Sequence, residues 1–398
     1  MKFTKQLLSF AIAASLFSCS SDDDNRTINP GGTTTGIVGT ELLGDITEDA
    51  TLSASVQYTL AGSVTVREGV TLTIQPGTTI QARSGRTDVF LAVERGARLV
   101  AQGTATNPIT FTSDAAEPRA GDWGGIVIAG RARSNKGSDV QSEVAGLLYG
   151  GNDDSDSSGI LSYVIAEYTG AKINGDSEFN GVSLFGVGSG TILNNIVISN
   201  GSDDGIEFFG GTVNATNIYC GNIGDDMFDW TEGYSGTITN AFGVRNNGFS
   251  IASDDPRGIE GDSNGSDATA MPISTPTLNN VTILNLDSST PLTAGAEIRR
   301  GTEATINNVL FAAYGGASFG NRIDTVDGKG NGVLTLTNAS AQGNVGMDKA
   351  DSTINGTVEI VTDVVTVPAD NTVEIAAGVG ADLSAFDWAN RTFSVVAQ

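Results

Sequence analysis

Histidine is absent from the 398 residues. That removes His-dependent triads, His general acids and His metal ligands together, so any acid–base or metal chemistry must rest on carboxylates, hydroxyls or the few cations. Cysteine occurs twice, at Cys19 and Cys220. With Cys19 in a targeting segment no internal disulfide is possible, and Cys220, in the apolar run Ile218–Cys220, is expected to be a small buried thiol. Basic residues are scarce: 21 Lys and Arg stand against 46 Asp and Glu, a net charge of −25. Such a surface repels nucleic acid and anionic head groups and suits cations and neutral or basic partners. Apolar residues are only 39%. That is little for a thick core but enough for a narrow column that takes two or three inward side chains per strand.

What is present is a repeat. Asn195, Asn200, Asp203, Asp204 and Gly211 recur 22 positions later as Asn217, Asn222, Asp225, Asp226 and Gly233. At the same spacing Asp229 takes the place of Glu207, and Trp230 answers Phe208 as a second aromatic. A fixed period of this size marks a repeat architecture. The apolar residues between these markers come in short β-branched runs broken by Asn, Asp and Gly, the pattern of strand, turn and strand. One period is then one coil of an all-β solenoid, each coil stacked on the last. An earlier repeat has a period near 27: Val64, Val66, Gly69 and Leu72 align with Leu91, Val93, Gly96 and Leu99. Later coils carry a Thr followed by an apolar residue, at Thr191, Thr212, Thr237, Thr277, Thr305 and Thr335. Three positions on stands Asn194, Asn240, Asn280, Asn308 or Asn338, and only the second coil departs, with Ala215. Asn tolerates the left-handed backbone of a corner and can bond the Asn of the next coil.

Residues 1–19 have the form of a signal peptide, with Lys2 and Lys5 before the apolar stretch Leu7–Phe17, which is too short to span a bilayer as an ordinary helix. Residues 20–36 are an acidic, Gly- and Thr-rich tether, and 37–398 form the folded domain. Two stretches break its rhythm, near 131–158 and 253–276, and are expected to leave the shaft. In the first, Asp154, Asp156 and Ser158 before Gly159 have the alternate-oxygen spacing of a calcium loop. The next acid, Glu167, comes too late for the full loop pattern, so a plain acidic turn stands beside the calcium reading. Trp123, followed by Gly124 and Gly125, is expected to pack between coils, although an exposed Trp could stack on a sugar. Residues 381–388 read as a short helical turn capped by Asp382, whose Leu383, Phe386 and Trp388 would cover the edge of the last coil.

Several of these segments resemble known families. Leu16, Phe17, Ser18 and Cys19 resemble the lipobox of bacterial lipoproteins, in which the Cys is acylated; Phe17 is bulkier than usual there. Asp22, Asp23 and Asp24 resemble the surface-export signal of Bacteroidetes-type lipoproteins. The motifs Pro76–Thr78, Gly121–Ile126, Ser158–Val164, Gly186–Thr191 and Asp203–Thr212 resemble those of a set of large, uncharacterised bacterial surface lipoproteins. That resemblance implies a single-stranded, right-handed parallel β-helix similar to pectin lyases, attached through Cys19 to the outer membrane and exposed at the cell surface. It implies no activity.

The acids of the repeat are the candidate site. Asp203 with Asp225, Asp204 with Asp226 and Glu207 with Asp229 fall on matching places of neighbouring coils, ~4.8 Å apart, close enough to perturb one another. Paired carboxylates are what a glycosidase uses, and polygalacturonases resemble this arrangement in placing Asp residues on successive coils. The Gly-His-Gly and Arg-x-Lys of that family have no counterpart here. A polysaccharide lyase would need a cation, for which calcium is the candidate, and a base such as Lys172, Arg245 or Arg257. The remaining reading is that Asp-Asp-Gly ends a strand, its carboxylates bonding backbone N–H groups. The sequence therefore leaves three roles open: binding or display of an extracellular glycan or partner protein, which the absence of histidine favours; glycan cleavage, which the paired acids favour; and a passive spacer.

Overall fold

The computed structural model describes residues 36–173, 177–250, 253–350, 353–361, 365–366 and 374–389. The chain divides into units 1–33 and 34–398. The first, with Cys19 and the leader, lies outside the described residues.

The second unit is a parallel β-helix, all-β apart from one short 3-10 helix, Leu383–Ala389. Each coil contributes strands to three parallel sheets. In the first sheet Val64–Val66, Leu91–Val93, Ile126–Ala129, Val182–Phe185, Ile206–Phe209 and Phe228–Thr231 lie in register, each on the next. Arg257–Gly261, Leu292–Ile298, Phe319–Asp324 and Met347–Lys349 continue it. The second and third sheets come from long strands such as Ile192–Gly201 and Asn214–Ile223, which turn a corner midway. The fold and the 27-residue alignment are as the sequence implied: Val64 pairs with Leu91 and Leu72 with Leu99.

The corners explain the asparagines. Asn195, Asn217, Asn240, Asn280, Asn308 and Asn338 all have φ between 52° and 60°, a left-handed conformation that Asn tolerates at low cost. Their amides also bond along the stack, Asn217 to Asn195 at 2.9 Å, Asn240 to Asn217 at 2.8 Å and Asn308 to Asn280 at 2.8 Å. The first coil therefore uses Asn195, not Asn194, and the second is no departure: its corner is Asn217, two places past Ala215. A second ladder, Asn200, Asn222 and Asn246, marks the next corner.

Inward side chains form one continuous apolar column that includes Ile206, Phe208, Phe228 and Trp230. Cys220 and Trp123 are both fully buried there, and the Trp123 indole donates to the Glu167 carbonyl at 2.7 Å; Trp123 is a packing residue. Two outer faces are covered as well. Within 131–158 a hairpin, Val140–Gln141 with Leu148–Tyr149, lays Val144, Leu147 and Tyr149 over Val127, Phe185 and Phe209 of the first sheet. The C-terminal segment covers the third sheet.

Two expectations need correction. The stretch 253–276 does not leave the shaft as a whole, because Arg257–Gly261 is a regular strand of the first sheet, flanked by Phe228–Thr231 and Leu292–Ile298. The C-terminal turn does not cap the last coil. It runs back along the outside of the third sheet: Gly380 bonds Asn308, Asp382 bonds Asn240, Phe386 packs on Tyr219 and Phe242, and Trp388 meets Tyr163. The outward apolar residues Val197, Tyr219, Phe242, Leu284 and Leu310 draw it there, since covering them removes apolar surface from water. Asp382 does cap the turn, accepting the Ser384 N–H at 3.0 Å.

Candidate functional site

The acids of the 22-residue repeat sit where the third sheet turns into the first. Asp203 and Asp204, and one coil on Asp225 and Asp226, occupy the turn. Glu207 and Asp229 follow on the first-sheet strands, where they are register partners. Ile206 and Phe208 point into the column, so Glu207 must point out, and alternation applies equally to Asp229. The Asp204 carboxylate accepts the Asp226 N–H at 2.9 Å, which is the strand-ending bond that the plain structural reading requires. The row continues past the two coils visible in the sequence: Asp229 is the register partner of Glu260, Glu260 of Glu297, Glu297 of Asp324, and Asp324 of Lys349.

The row has two electrostatic halves. In the lower half cations interleave with acids. Arg257, almost wholly buried, reaches Asp226 at 3.5 Å, Asp255 at 2.7 Å, Glu260 at 2.9 Å and also Glu297. Arg299 reaches Glu260 at 2.6 Å and Asp262 at 2.8 Å, and Arg300 bridges Asp262 and Asp327. Burial works against the charge on Arg257, but the surrounding carboxylates outweigh it and hold the guanidinium charged far beyond its ordinary range. In the upper half Asp204, Glu207 and Asp229 have no ion pair among the described residues. Glu207 accepts the Asn180 amide at 2.6 Å. Burial, then the neighbouring acids, push Asp204 and Glu207 well above the usual carboxylate range. Asp229 is pushed up to about 7 by burial first and the field of Asp262 second, and half-buried Asp203 to about 8 by burial and then Asp225.

This arrangement can hold protons or a cation, but it does not present an open cleft to a polymer. Asp204 and Asp229 are each 7% exposed and Asp226 3%. The bases considered for a lyase are also engaged. Arg245 is buried, lowered to about 10 by that burial, and donates to the Ile223 carbonyl at 2.6 Å; Lys172 pairs with Glu178; Arg257 is locked among acids. The calcium-loop residues each have a protein partner. Asp154 is held by Arg133 through Nε at 2.9 Å, Asp156 accepts the Arg131 N–H at 2.9 Å, and Ser158 is buried against the Ala129 carbonyl.

The family described as "Pectate-lyase like beta helix domain" matches residues 44–392. The chain belongs to that family. Among solved structures, the full-length tailspike protein 2 of Escherichia coli O157:H7 bacteriophage CAB120 is similar over 77% of this chain, at 11% identity and a TM-score of 0.31. The chain spans 38% of that tailspike's length. The A-module of the mannuronan C-5 epimerase AlgE4 from Azotobacter vinelandii is similar over 77% of this chain and 88% of its own, at 9% identity and a TM-score of 0.24. Neither alignment transfers a residue or a substrate. No curated protein matches the sequence.

In this pectate-lyase-like domain the second sheet offers a different surface. Its outward positions form two rows. One holds Thr237, Thr277, Thr305 and Thr335, the other Thr216, Thr239, Asn279, Asn307 and Thr337, in register from coil to coil. All are partly or fully exposed. No charge interrupts either row, although the chain carries 46 acids. The recurring Thr is the sequence signal for this face, but the repeat alone does not show that the rows join into one continuous outer surface.

Proposed function

We propose that the protein is a surface-anchored β-helix that binds an uncharged glycan along the outer face of its second sheet. The observation that carries this is the pair of Thr and Asn rows, hydroxyl and amide groups repeating every ~4.8 Å for about 20 Å. Such groups donate and accept hydrogen bonds without a charge to desolvate. A neutral polysaccharide presents hydroxyls at similar intervals, whereas a polyuronate would meet the repulsion of a chain at −25. Anchoring through acylated Cys19 at the outer membrane belongs to the same reading and rests on the lipobox-like Leu16–Cys19; labelled palmitate should enter the wild type and not Cys19→Ser.

Affinity electrophoresis with soluble β-glucan, mannan, xylan and polygalacturonate tests the binding. Retardation by at least one neutral polymer and none by polygalacturonate is expected, with a loss of tenfold or more in Thr277→Glu/Thr305→Glu. Glu207→Gln should bind as the wild type does. Mobility unchanged by every neutral polymer would end the proposal, and new reducing ends that vanish in Glu207→Gln would replace binding with cleavage.

A further inference from the structure

The polar rows of the second sheet carry amides as well as hydroxyls, and the amides narrow the class of glycan. Asn194, Thr216, Thr239, Asn279, Asn307 and Thr337 follow one another in register from coil to coil. Where two Asn are neighbours their side chains join, Asn307 Nδ2 donating to Asn279 Oδ1 at 3.0 Å. The corner beside this row has a ladder of the same kind, but the C-terminal segment has taken a share of it: Asn308 accepts the Gly380 N–H at 3.0 Å and Asn240 the Asp382 N–H at 2.6 Å. Asn279 and Asn307 are half-buried. Among the described residues Asn279 Nδ2 and Asn307 Oδ1 have no hydrogen-bond partner. Because the bond runs from Asn307 to Asn279, the nitrogen left on Asn279 faces the coil of Thr239, and the oxygen left on Asn307 faces that of Thr337. Thr is shorter than Asn, which leaves room over both for an amide from outside.

Amides linked by N–H···O=C bonds repeat every ~4.8 Å, whether they belong to strands or to stacked Asn side chains, because the bond and the amide group fix the distance. A polymer whose own amides are stacked in this way must show the same interval. Among neutral glycans that property belongs to N-acetylated ones in ordered form, whose chains are tied side by side through their acetamido groups. We propose, resting on the glycan reading of this face, that its polymer is ordered chitin, the β-1,4-linked chain of N-acetylglucosamine. The polymer chains lie across the column, parallel to its strands, one to a coil. An acetamido carbonyl over Thr239 accepts from Asn279 Nδ2, and an acetamido N–H over Thr337 donates to Asn307 Oδ1, so that the side-chain ladder and the polymer stack become one. Sugar hydroxyls meet Thr277, Thr305 and Thr335 of the neighbouring row. An ordered polymer has little conformational freedom left to lose on binding, which suits an open face that encloses nothing. Chitin is uncharged, so no charged group of the polymer has to be desolvated at the contact.

The test compares the purified full chain on crystalline chitin and on microcrystalline cellulose, solids that share the β-1,4 backbone and differ in the acetamido group. Depletion isotherms should show chitin held about tenfold more tightly, a comparison that stands even if a variant fails to fold. Asn279→Thr/Asn307→Thr keeps the row neutral and β-branched and removes both amides; it should bind chitin no more tightly than cellulose. Soluble N-acetylglucosamine oligomers, whose acetamido groups are not stacked, should not release the chain from chitin. Equal binding of the wild type to the two solids, or an undiminished preference in the double variant, would overturn the choice of chitin, while retardation by a soluble neutral polymer would still uphold the glycan reading. Release by the oligomers would overturn the need for an ordered polymer. No retardation by any polymer and no binding to either solid would end both.

Discussion

Arg257 is the residue whose removal the structure makes most consequential. Its guanidinium is buried among Asp226, Glu260 and Glu297, with exposed Asp255 at the edge. Arg257→Met keeps the length of the side chain and removes the charge. Asp255 is exposed and its pair counts for little. Glu260 and Glu297 retain Arg299, at 2.6 and 3.6 Å. Asp226 retains no ion pair and stays buried, which makes it the principal loss. Removing one partner of a buried pair costs up to about 3–5 kcal/mol, most of it the uncompensated charge left behind, and less here to the extent that Asp226, which burial and then Glu260 push well above the usual carboxylate range, takes up a proton. For a domain of this size the full cost is a fall in Tm of roughly 4–8 °C. Scanning calorimetry in chelator measures it. Adding Asp226→Asn to Arg257→Met should restore at least half of the loss, because an amide carries no charge to strand. Arg257→Lys should fall between, since a point ammonium cannot serve several carboxylates as the guanidinium fork does. A loss under about 1 kcal/mol in Arg257→Met, or no recovery in the double variant, would refute the view that the lower row is held by this cation.

Two further outcomes follow from the same geometry. In chelator, Tm should fall as pH rises from 5 to 8: Asp229 and Asp203 keep protons up to about 7 and about 8, protons that the unfolded chain, with carboxyls near 4, has already released, so the stability present at low pH is lost as these groups ionise. A flat or rising Tm over that window would contradict the burial assigned to them, and Asp229→Asn should flatten the slope. Ending the chain after residue 379 removes the segment that covers Tyr219 and Phe242; the truncated protein should bind a fluorescent hydrophobic dye and melt lower, and unchanged dye binding would show that the third sheet does not need its cover.

The coiled fold was legible because neighbouring coils of equal length repeat the same residues at the same spacing. The acid row was legible for two coils only. Asp203, Asp204 and Glu207 meet their partners 22 positions on, whereas Asp229 to Glu260 is 31 positions and Glu260 to Glu297 is 37, because the loops between those strands are longer. With that spacing hidden, Asn247 and Gly248 fall where Asp225 and Asp226 would next recur, close after Arg245, when the strand that follows is Arg257–Gly261. The covers were legible in principle. A strand open to water on one face alternates, but Ile196, Val197 and Ile198, or Phe208 and Phe209, are apolar on both faces, the mark of a strand buried on both sides. Nothing in residues 381–388 says which strands they cover, because the surface that receives them is assembled from coils far apart in the chain.

The three faces of the column have different fates, and this bears on where an external ligand can lie. The hairpin at 140–149 and the buried arginines close much of the first sheet, and residues 380–389 lie along the third. Among the described residues the outward rows of the second sheet have no such cover, and they are also the rows that alternation predicts for a face in water, apolar inward at Ile238, Leu278, Ile306 and Leu336 and polar outward between them. β-Branched Thr serves a strand well for its own sake, so Thr alone would be weak grounds for a binding face. The stronger point is what is missing there: in a chain with 46 acids, acids fill the turn and the first sheet while the rows from Thr216 to Thr337 hold none. Solubility alone would be served by acids on any exposed row. A neutral row is what contact with a neutral polymer requires, since each buried carboxylate at such a contact would need a partner that the polymer lacks.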